Sequence, residues 1–385
     1  MSTVAATDLG AARTAAIEQS GWGVPFRLVQ WRNAAFWVFL WGMVAGGYQL
    51  LKYYGPGFGA YTAGLGSGVL LFGLYTVPWL LLLGYHNRYT SLPGRLLTAG
   101  FLWGAVASTF WIGLQANTAV LSLYTKAFGA EWTRDWAGGL TAPITEELAK
   151  ATGLILLIGL APRLVRSPYD GLIIGAFVGL GLQISEDVLY AFNATATQFG
   201  ADQLSAAYGI FASRAGAGLF QHVLFSAIFC SGLMWLIGRG ENRHRVRGLL
   251  LILGAMVLHS GWDNVSAYGN VLAGRAGFVL VILVLIVAGL WLLTVTFRLA
   301  APQEQAWLMA ILAPEVAGGL LTEEEAAAAA GGWKTRRRYR KTHTRAERHV
   351  LSAANDLAQE IARAGGTDND RVVHARAEIQ RLRTG

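Results

Sequence analysis

The feature that most limits how this chain can fold is the recurrence of apolar runs long enough to cross a bilayer. A span needs about 20 largely apolar residues, because the hydrocarbon core is roughly 30 Å thick. Residues 33–51, 65–84, 96–114 and 277–297 form four such runs without a single charge. Four more, at 136–161, 170–193, 215–238 and 248–264, are apolar but interrupted. The expected fold is therefore all-α, a polytopic membrane bundle of about eight transmembrane helices. Only 14% of the 385 residues are charged and 54% are hydrophobic. Soluble domains carry about 25% charged residues, so a purely soluble enzyme is excluded. The single cysteine, Cys230, rules out an intrachain disulfide and any multi-cysteine metal site. It lies within an apolar run, where a thiol is usually inert. The first 30 residues lack the pattern of a removable signal peptide.

Short-loop Lys and Arg set the orientation. With the N-terminus (Arg13, Arg27, Arg32) in the cytoplasm, the inner loops carry Arg88 and Arg95, Arg163 and Arg166, then Arg239, Arg243, Arg245 and Arg247. The outer loops carry Lys52, Lys126, Arg134, Arg214 and Arg275. Eight basic residues inside against five outside favour an even number of spans with both termini cytoplasmic. Three regions are expected: a cytoplasmic segment at 1–32, the eight-span domain at 33–299, and a basic helical tail at 300–385. In the tail, Thr322 and Glu325 form a capping-box pattern ahead of an alanine run. Helices are expected near 345–363 and 371–383. The basic run from Lys334 to Lys341 reads either as a solvated cytoplasmic face or as a contact for anionic lipid. The net charge is +8, yet base-reading motifs are missing, so no nucleic acid is expected as a partner.

Ionisable groups inside spans are costly and mark function. Four spans carry none. The others carry Glu146, Glu147 and Lys150; Glu186 and Asp187; His222; and His259 and Asp263. At 1.5 Å per residue from the cytoplasmic ends, Glu146, Glu186, His222 and Asp263 lie roughly 22–24 Å deep and His259 roughly 17 Å. These helices run in alternating directions, so the groups share one layer in the outer half of the membrane.

Glu146 and Lys150 stand four residues apart and share a helix face, as do His259 and Asp263. Glu146 and Glu147 are about 100° apart on a helix; one would face the reaction and the other orient it. Five carboxylates against one lysine cannot all stay charged in low dielectric. Either some are protonated, or a divalent cation such as zinc is bound, with His222, His259, Glu146 and Glu186 as candidate ligands. Gly138-Gly139 and Pro143 suggest that the fourth span starts near Pro143 after looser backbone. Gly171, Gly175 and Gly179 form a GxxxGxxxG row suited to close helix packing. No HExxH motif is present. The rhomboid-like Leu65-Gly66-Ser67-Gly68 has no histidine partner, and Tyr169-Asp170 lacks the second motif of presenilin-type aspartyl proteases.

The ordered set Pro143-Ile-Thr-Glu-Glu-Leu-Ala-Lys150, Asp170-Gly-Leu-Ile-Ile-Gly-Ala-Phe-Val-Gly-Leu-Gly181 leading to Glu186, His222, and His259-Ser-Gly-Trp-Asp263-Asn264 resembles the PrsW intramembrane proteases. That family is related to the group containing type 2 CAAX prenyl proteases. The resemblance covers roughly residues 140–270. It implies endoproteolysis of a membrane-anchored protein, such as an anti-sigma factor, near its extracytoplasmic side, in a bacterial cytoplasmic membrane. The family's glutamate pair corresponds to Glu146 and Glu147, and its histidines to His222 and His259. Two positions depart from the family pattern: Asp263 stands where Asn is frequent, and Asp187 follows Glu186. On this reading Glu146 or Glu147 activates water, and His222 and His259 ligate a metal or stabilise the oxyanion. Asp263 orients His259 or supports the water, while Lys150 balances charge. The alternatives are a non-proteolytic ion-coupled transporter or sensor, or an inactive membrane scaffold. A protease needs its Glu and His groups around one water-sized space; a transporter needs a chain of ionisable groups through both leaflets.

Overall fold

The computed structural model describes residues 3–218, 221–238 and 244–384, with backbone alone for 3–7, 217 and 384. Arg239 and Arg243, counted above in an inner loop, lie outside the described residues. Among the described residues every regular element is helical. The order begins with α1 (Thr3–Ser20), α2 (Ala34–Tyr54), α3 (Thr62–Asn87) and α4 (Gly94–Leu102). A π-helical stretch (Trp103–Gly113) then continues into α5 (Leu114–Phe128). The one-turn α6 (Ala130–Trp132) and a second π stretch (Thr133–Ala137) lead into α7 (Gly138–Leu160). Next come α8 (Pro168–Thr197), α9 (Gln203–Ala217), α10 (His222–Ile237), α11 (Arg245–Asp263), α12 (Val265–Leu272) and α13 (Arg275–Ala317). The tail holds α14 (Glu323–Ala330), α15 (Trp333–Thr342), α16 (Arg345–Arg363) and α17 (Asp370–Thr384).

Helices stand at all eight places read from the sequence. Five are long and apolar enough to cross a membrane: Ala34–Gly57, Thr62–Asn87, Gly94–Phe128, Pro168–Thr197 and Arg275–Ala317. The bent pair α11–α12, with a 67° break, makes a sixth if it counts as one span. Of the remaining two, α7 carries Glu146, Glu147 and Lys150, and α10 is only 16 residues long. Trp41 and Leu51 on α2, Leu70 and Leu81 on α3, and Val287 and Trp291 on α13 are exposed. An apolar surface of that extent is matched by lipid rather than water.

The centre of the bundle is α8, buried along most of its length. Its start is fixed by a capping box between Ser167 and Asp170. Its glycine row faces α10. A Cβ on Gly171 would lie 2.7 Å from the Cys230 carbonyl oxygen, and one on Gly175 2.5 Å from the Cys230 Cβ. At Gly179 the obstacle is the His222 carbonyl. Only glycine lets the two backbones approach so closely, and that approach brings His222 to the face of α8.

A second core joins the two ends of the chain. Ile17 and Trp22 pack with Trp307, Leu308, Ile311 and Leu312 of α13 and with Leu351, Leu357 and Ile361 of α16. Glu315 binds Arg13 at 2.8 Å and accepts two bonds from Arg376, at 2.8 and 2.9 Å. The capping box at Thr322 and Glu325 forms as its sequence pattern indicates. No break marks residue 300, because α13 runs unbroken from the bundle into the tail.

Candidate active site

Four helices deliver the titratable layer, and the side chains meet. Glu147 is fully engaged: its Oε1 accepts from Lys150 Nζ at 2.6 Å and lies 3.0 Å from His259 Nδ1, while its Oε2 accepts from Ser226 at 3.1 Å. All four of these residues are buried. The sequence reading paired Lys150 with Glu146. The structure pairs it with Glu147, three residues away and equally a helical neighbour. The 100° rotation per residue turns Glu146 instead towards α5, where Asn117 Nδ2 donates to its Oε1 at 3.0 Å. Thr145 in turn donates to Asn117 Oδ1.

The other oxygen of Glu146, Oε2, is buried without a hydrogen-bond partner, and so is His259 Nε2. They face each other at 3.8 Å, and His222 Nδ1 stands 3.7 Å from the same oxygen. Each imidazole is fixed through its other nitrogen by a carboxylate. For His259 this is Glu147; for His222 it is Glu186, at 3.0 Å from Nε2. Phe225 stacks on His259, with ring centroids 5.1 Å apart. Asp263 Oδ2 lies 3.5 Å from His259 Nε2, and its side chain is 23% exposed, so it sits at the rim.

Asp187 is not in this circle. It reaches it only through Arg214 of α9, which bonds Asp187 through Nε and Glu186 through Nη2 at 2.8 Å. The sequence reading placed Arg214 in an outer loop and left five carboxylates with one cation. That imbalance was itself a signal, since Arg214 is the arginine nearest His222 along the chain. Asn117 had no such signal, because it is an uncharged amide just beyond the apolar run at 96–114.

The start of α7 also differs from expectation. The helix begins at Gly138 and carries Pro143 inside it, so Glu146 is not at a helix N-terminus. Asn264 holds the distorted entry: its Oδ1 accepts from Gly139 N at 2.9 Å and its Nδ2 donates to Trp136 O at 3.2 Å. The described residue before α10, Gln221, has non-helical backbone (φ −106°, ψ −129°), and Gly218 O accepts from Gln183 at 2.9 Å. His222 is the first residue of that helix.

A cavity of about 150 Å³ reaches the site; Glu146, Glu186, Asn117 and Ser108 line it together with Leu114, Leu182 and Leu189. A larger apolar groove of about 710 Å³ lies between α7, α11 and α13, away from the facing oxygen and nitrogens.

A family model described as PrsW family intramembrane metalloprotease matches residues 92–292. The chain belongs to that family. The matched segment contains every residue of the layer. No curated protein and no solved structure matches the chain. The family description implies a metal ion, and the residues fit one. Glu146, His222 and His259 offer ligand atoms within 4.8 Å of one another. Two of those three residues present buried atoms without a partner. Both imidazoles carry the carboxylate partner that metal-binding histidines usually have on the distal nitrogen.

Proposed function

We propose that this protein is an intramembrane endopeptidase that cuts membrane-anchored proteins near the extracytoplasmic side of a bacterial cell membrane. An anti-sigma factor is the kind of substrate expected. Both termini lie in the cytoplasm on this reading, and the eight helices named above all cross the bilayer. The shared core of α1 and the tail supports an even number of crossings, since it keeps both ends of the chain on one side. The basic loops at 88–95 and 163–166 fit that side being cytoplasmic.

The observation that carries the reading is the convergence of Glu146 Oε2, His222 Nδ1 and His259 Nε2 on one spot, with a cavity lined by Glu146 and Glu186 beside it. Those three residues would hold a divalent ion, zinc in our assignment. When bound, such an ion supplies Lewis acidity to a peptide carbonyl and to water. The chain's own groups do the rest. Glu147 and Glu186 fix the two imidazoles. With His259 already oriented by Glu147, Asp263 is free at the rim to accept a proton from water and return it to the leaving amine. Lys150 neutralises Glu147, and Arg214 steadies Glu186. A ring of ionisable groups in one layer suits hydrolysis better than the relay through both leaflets that a transporter needs.

A metal-free variant of the same chemistry has one observation in its favour. Lys150 Nζ lies 3.3 Å from His222 Nδ1, and a cation there competes with a metal for that nitrogen. In that variant Glu146 Oε2 takes the proton from water, and the imidazoles stabilise the oxyanion.

The test is cleavage of a membrane-anchored substrate in proteoliposomes by Glu146→Ala, Glu147→Ala, His222→Ala and His259→Ala variants with folding verified. Unchanged cleavage in all four would exclude both mechanisms. Elemental analysis of the purified protein separates them.

A further inference from the structure

Where the tail meets the bundle, a cleft of about 640 Å³ opens between residues 23–26, the loop joining α3 to α4, and the last turn of α16. Arg88, Arg95 and Arg363 line it together with Asn87, Ser91 and Gln359, and no acidic side chain is among its lining residues. Its walls are held tightly. Gly23 has φ +79°, and a Cβ there would lie 2.6 Å from the Arg363 backbone nitrogen.

The arginines are presented as anion donors. Arg88 lies over the Tyr85 ring at 3.6 Å and the Tyr89 ring at 4.2 Å. Its Nη1 donates to Tyr85 O at 2.9 Å and its Nη2 to the Tyr89 hydroxyl, while its Nε is buried without a partner. The guanidinium is thus fixed in place by neutral groups. Arg95 is exposed. Arg363 is partly met by Glu360 and Gln359.

The position of the cleft selects the anion. It sits between Asn87, where one candidate span ends, and Gly94, where the next begins. That is the level of lipid headgroups. Tyr85, 42% exposed beside it, suits the membrane interface. Tyr89 also donates to Gly331 O at 2.7 Å, which sets α15 next to the cleft with Lys334, Arg337, Arg338, Arg340 and Lys341 exposed. Planar guanidinium groups match phosphate oxygens in paired fashion. A surface of this charge attracts anionic lipid.

We propose that this cleft binds the phosphate of an anionic phospholipid and thereby ties the tail to the membrane surface. A zwitterionic headgroup would place its ammonium among the arginines and is disfavoured. The proposal rests on the spans and the tail, not on the protease chemistry.

The full-length protein, delipidated in detergent, is titrated with short-chain phosphatidylglycerol, short-chain phosphatidylcholine and glycerol phosphate, with binding read by native mass spectrometry. Phosphatidylglycerol should bind saturably and in preference to phosphatidylcholine. Arg95→Gln should weaken it about tenfold, the loss expected for one charged hydrogen-bond donor. Arg338→Gln, on α15 and outside the cleft, should weaken it less than Arg95→Gln does. If Arg88→Gln fails to fold, exposed Arg95 still carries the test. Equal binding of the two lipids, unaltered binding by Arg95→Gln, or an equal loss with Arg338→Gln would overturn the proposal. So would displacement of phosphatidylglycerol by equimolar glycerol phosphate, which would make the cleft a site for free phosphate.

Discussion

Replacing Arg214 by alanine tests whether the candidate site is held from outside its own helices. Arg214 bonds Glu186 at 2.8 Å and also Asp187, and Asp187 is fully buried. Without the guanidinium, two adjacent carboxylates lose their cation in a medium that cannot solvate them. Removing one partner of a buried ion pair costs about 3–5 kcal/mol. Arg214 is itself 20% exposed, so the lower end, about 3 kcal/mol, is expected. The functional loss runs through Glu186, whose Oε2 holds His222 Nε2 at 3.0 Å. Freed from Arg214, Glu186 protonates or turns away, and His222 is no longer oriented. Loss of such an outer partner costs about 10–100-fold in metal affinity or activity. Arg214→Lys keeps the charge but cannot bridge both acids with one rigid fork, so it should fall between. Adding Asp187→Asn to Arg214→Ala removes the buried lone acid. The double variant should regain thermal stability in detergent while remaining impaired in cleavage and in zinc affinity. If Arg214→Ala cleaves and binds zinc like the parent, Arg214 does not position the site. If the double variant recovers cleavage along with stability, its role is purely structural.

The two neighbouring glutamates should separate by phenotype. Glu146→Gln should abolish cleavage with little change in melting temperature, because Oε2 has no partner to lose, whereas Glu147→Gln should also destabilise by about 3–5 kcal/mol through its buried bond to Lys150; thermal unfolding beside a cleavage assay decides. Gly179→Ala sets a Cβ against the His222 carbonyl and should cost about 1–3 kcal/mol of overpacking while lowering cleavage more than Gly66→Ala, where the space is open. A chelator should inhibit the wild-type protein, and added zinc should restore it; activity that resists exhaustive chelation in metal-free buffer favours the variant with Glu146 as base.

Most of the layer was legible because charge inside an apolar run is a strong signal. Glu146, Glu186, His222, His259 and Asp263 were placed in one layer by depth along alternating helices, and that estimate needs only the rise per residue. The glycine row on α8 was legible for a similar reason, since its four-residue spacing marks one face. Side-chain partnership was not. Lys150 is a helical neighbour of both glutamates, and only the rotation of α7 against α10 and α11 assigns it to Glu147. Arg214 escaped because α9 is short and its arginine reads as a loop cation. The start of α7 escaped because Asn264, far along the chain, supplies the partner that keeps Gly139 helical.

The charges at the site support a metal without reference to the family. Five carboxylates lie in the layer, and the structure supplies two cations, Lys150 and Arg214, each committed to particular acids. Glu147 is compensated by Lys150, and Glu186 with Asp187 by Arg214. What remains uncompensated is Glu146 at the centre and Asp263 at the rim. A buried carboxylate oxygen with no donor costs free energy, and the nearest groups to Glu146 Oε2 are two imidazole nitrogens turned towards it. With His259 Nδ1 and His222 Nε2 bound to Glu147 and Glu186, the acceptor lone pairs of the neutral rings point inward if those carboxylates take the ring protons. Three acceptors facing one another repel unless a proton or a cation lies among them, and Lys150 Nζ, 3.3 Å from His222 Nδ1, meets only one of the three. A proton satisfies one pair; a divalent ion satisfies all three. Zinc titration of the wild-type protein and of Glu146→Gln should therefore differ, with affinity lost in the variant while both histidines remain. Equal affinity would mean that the acceptors share a proton instead.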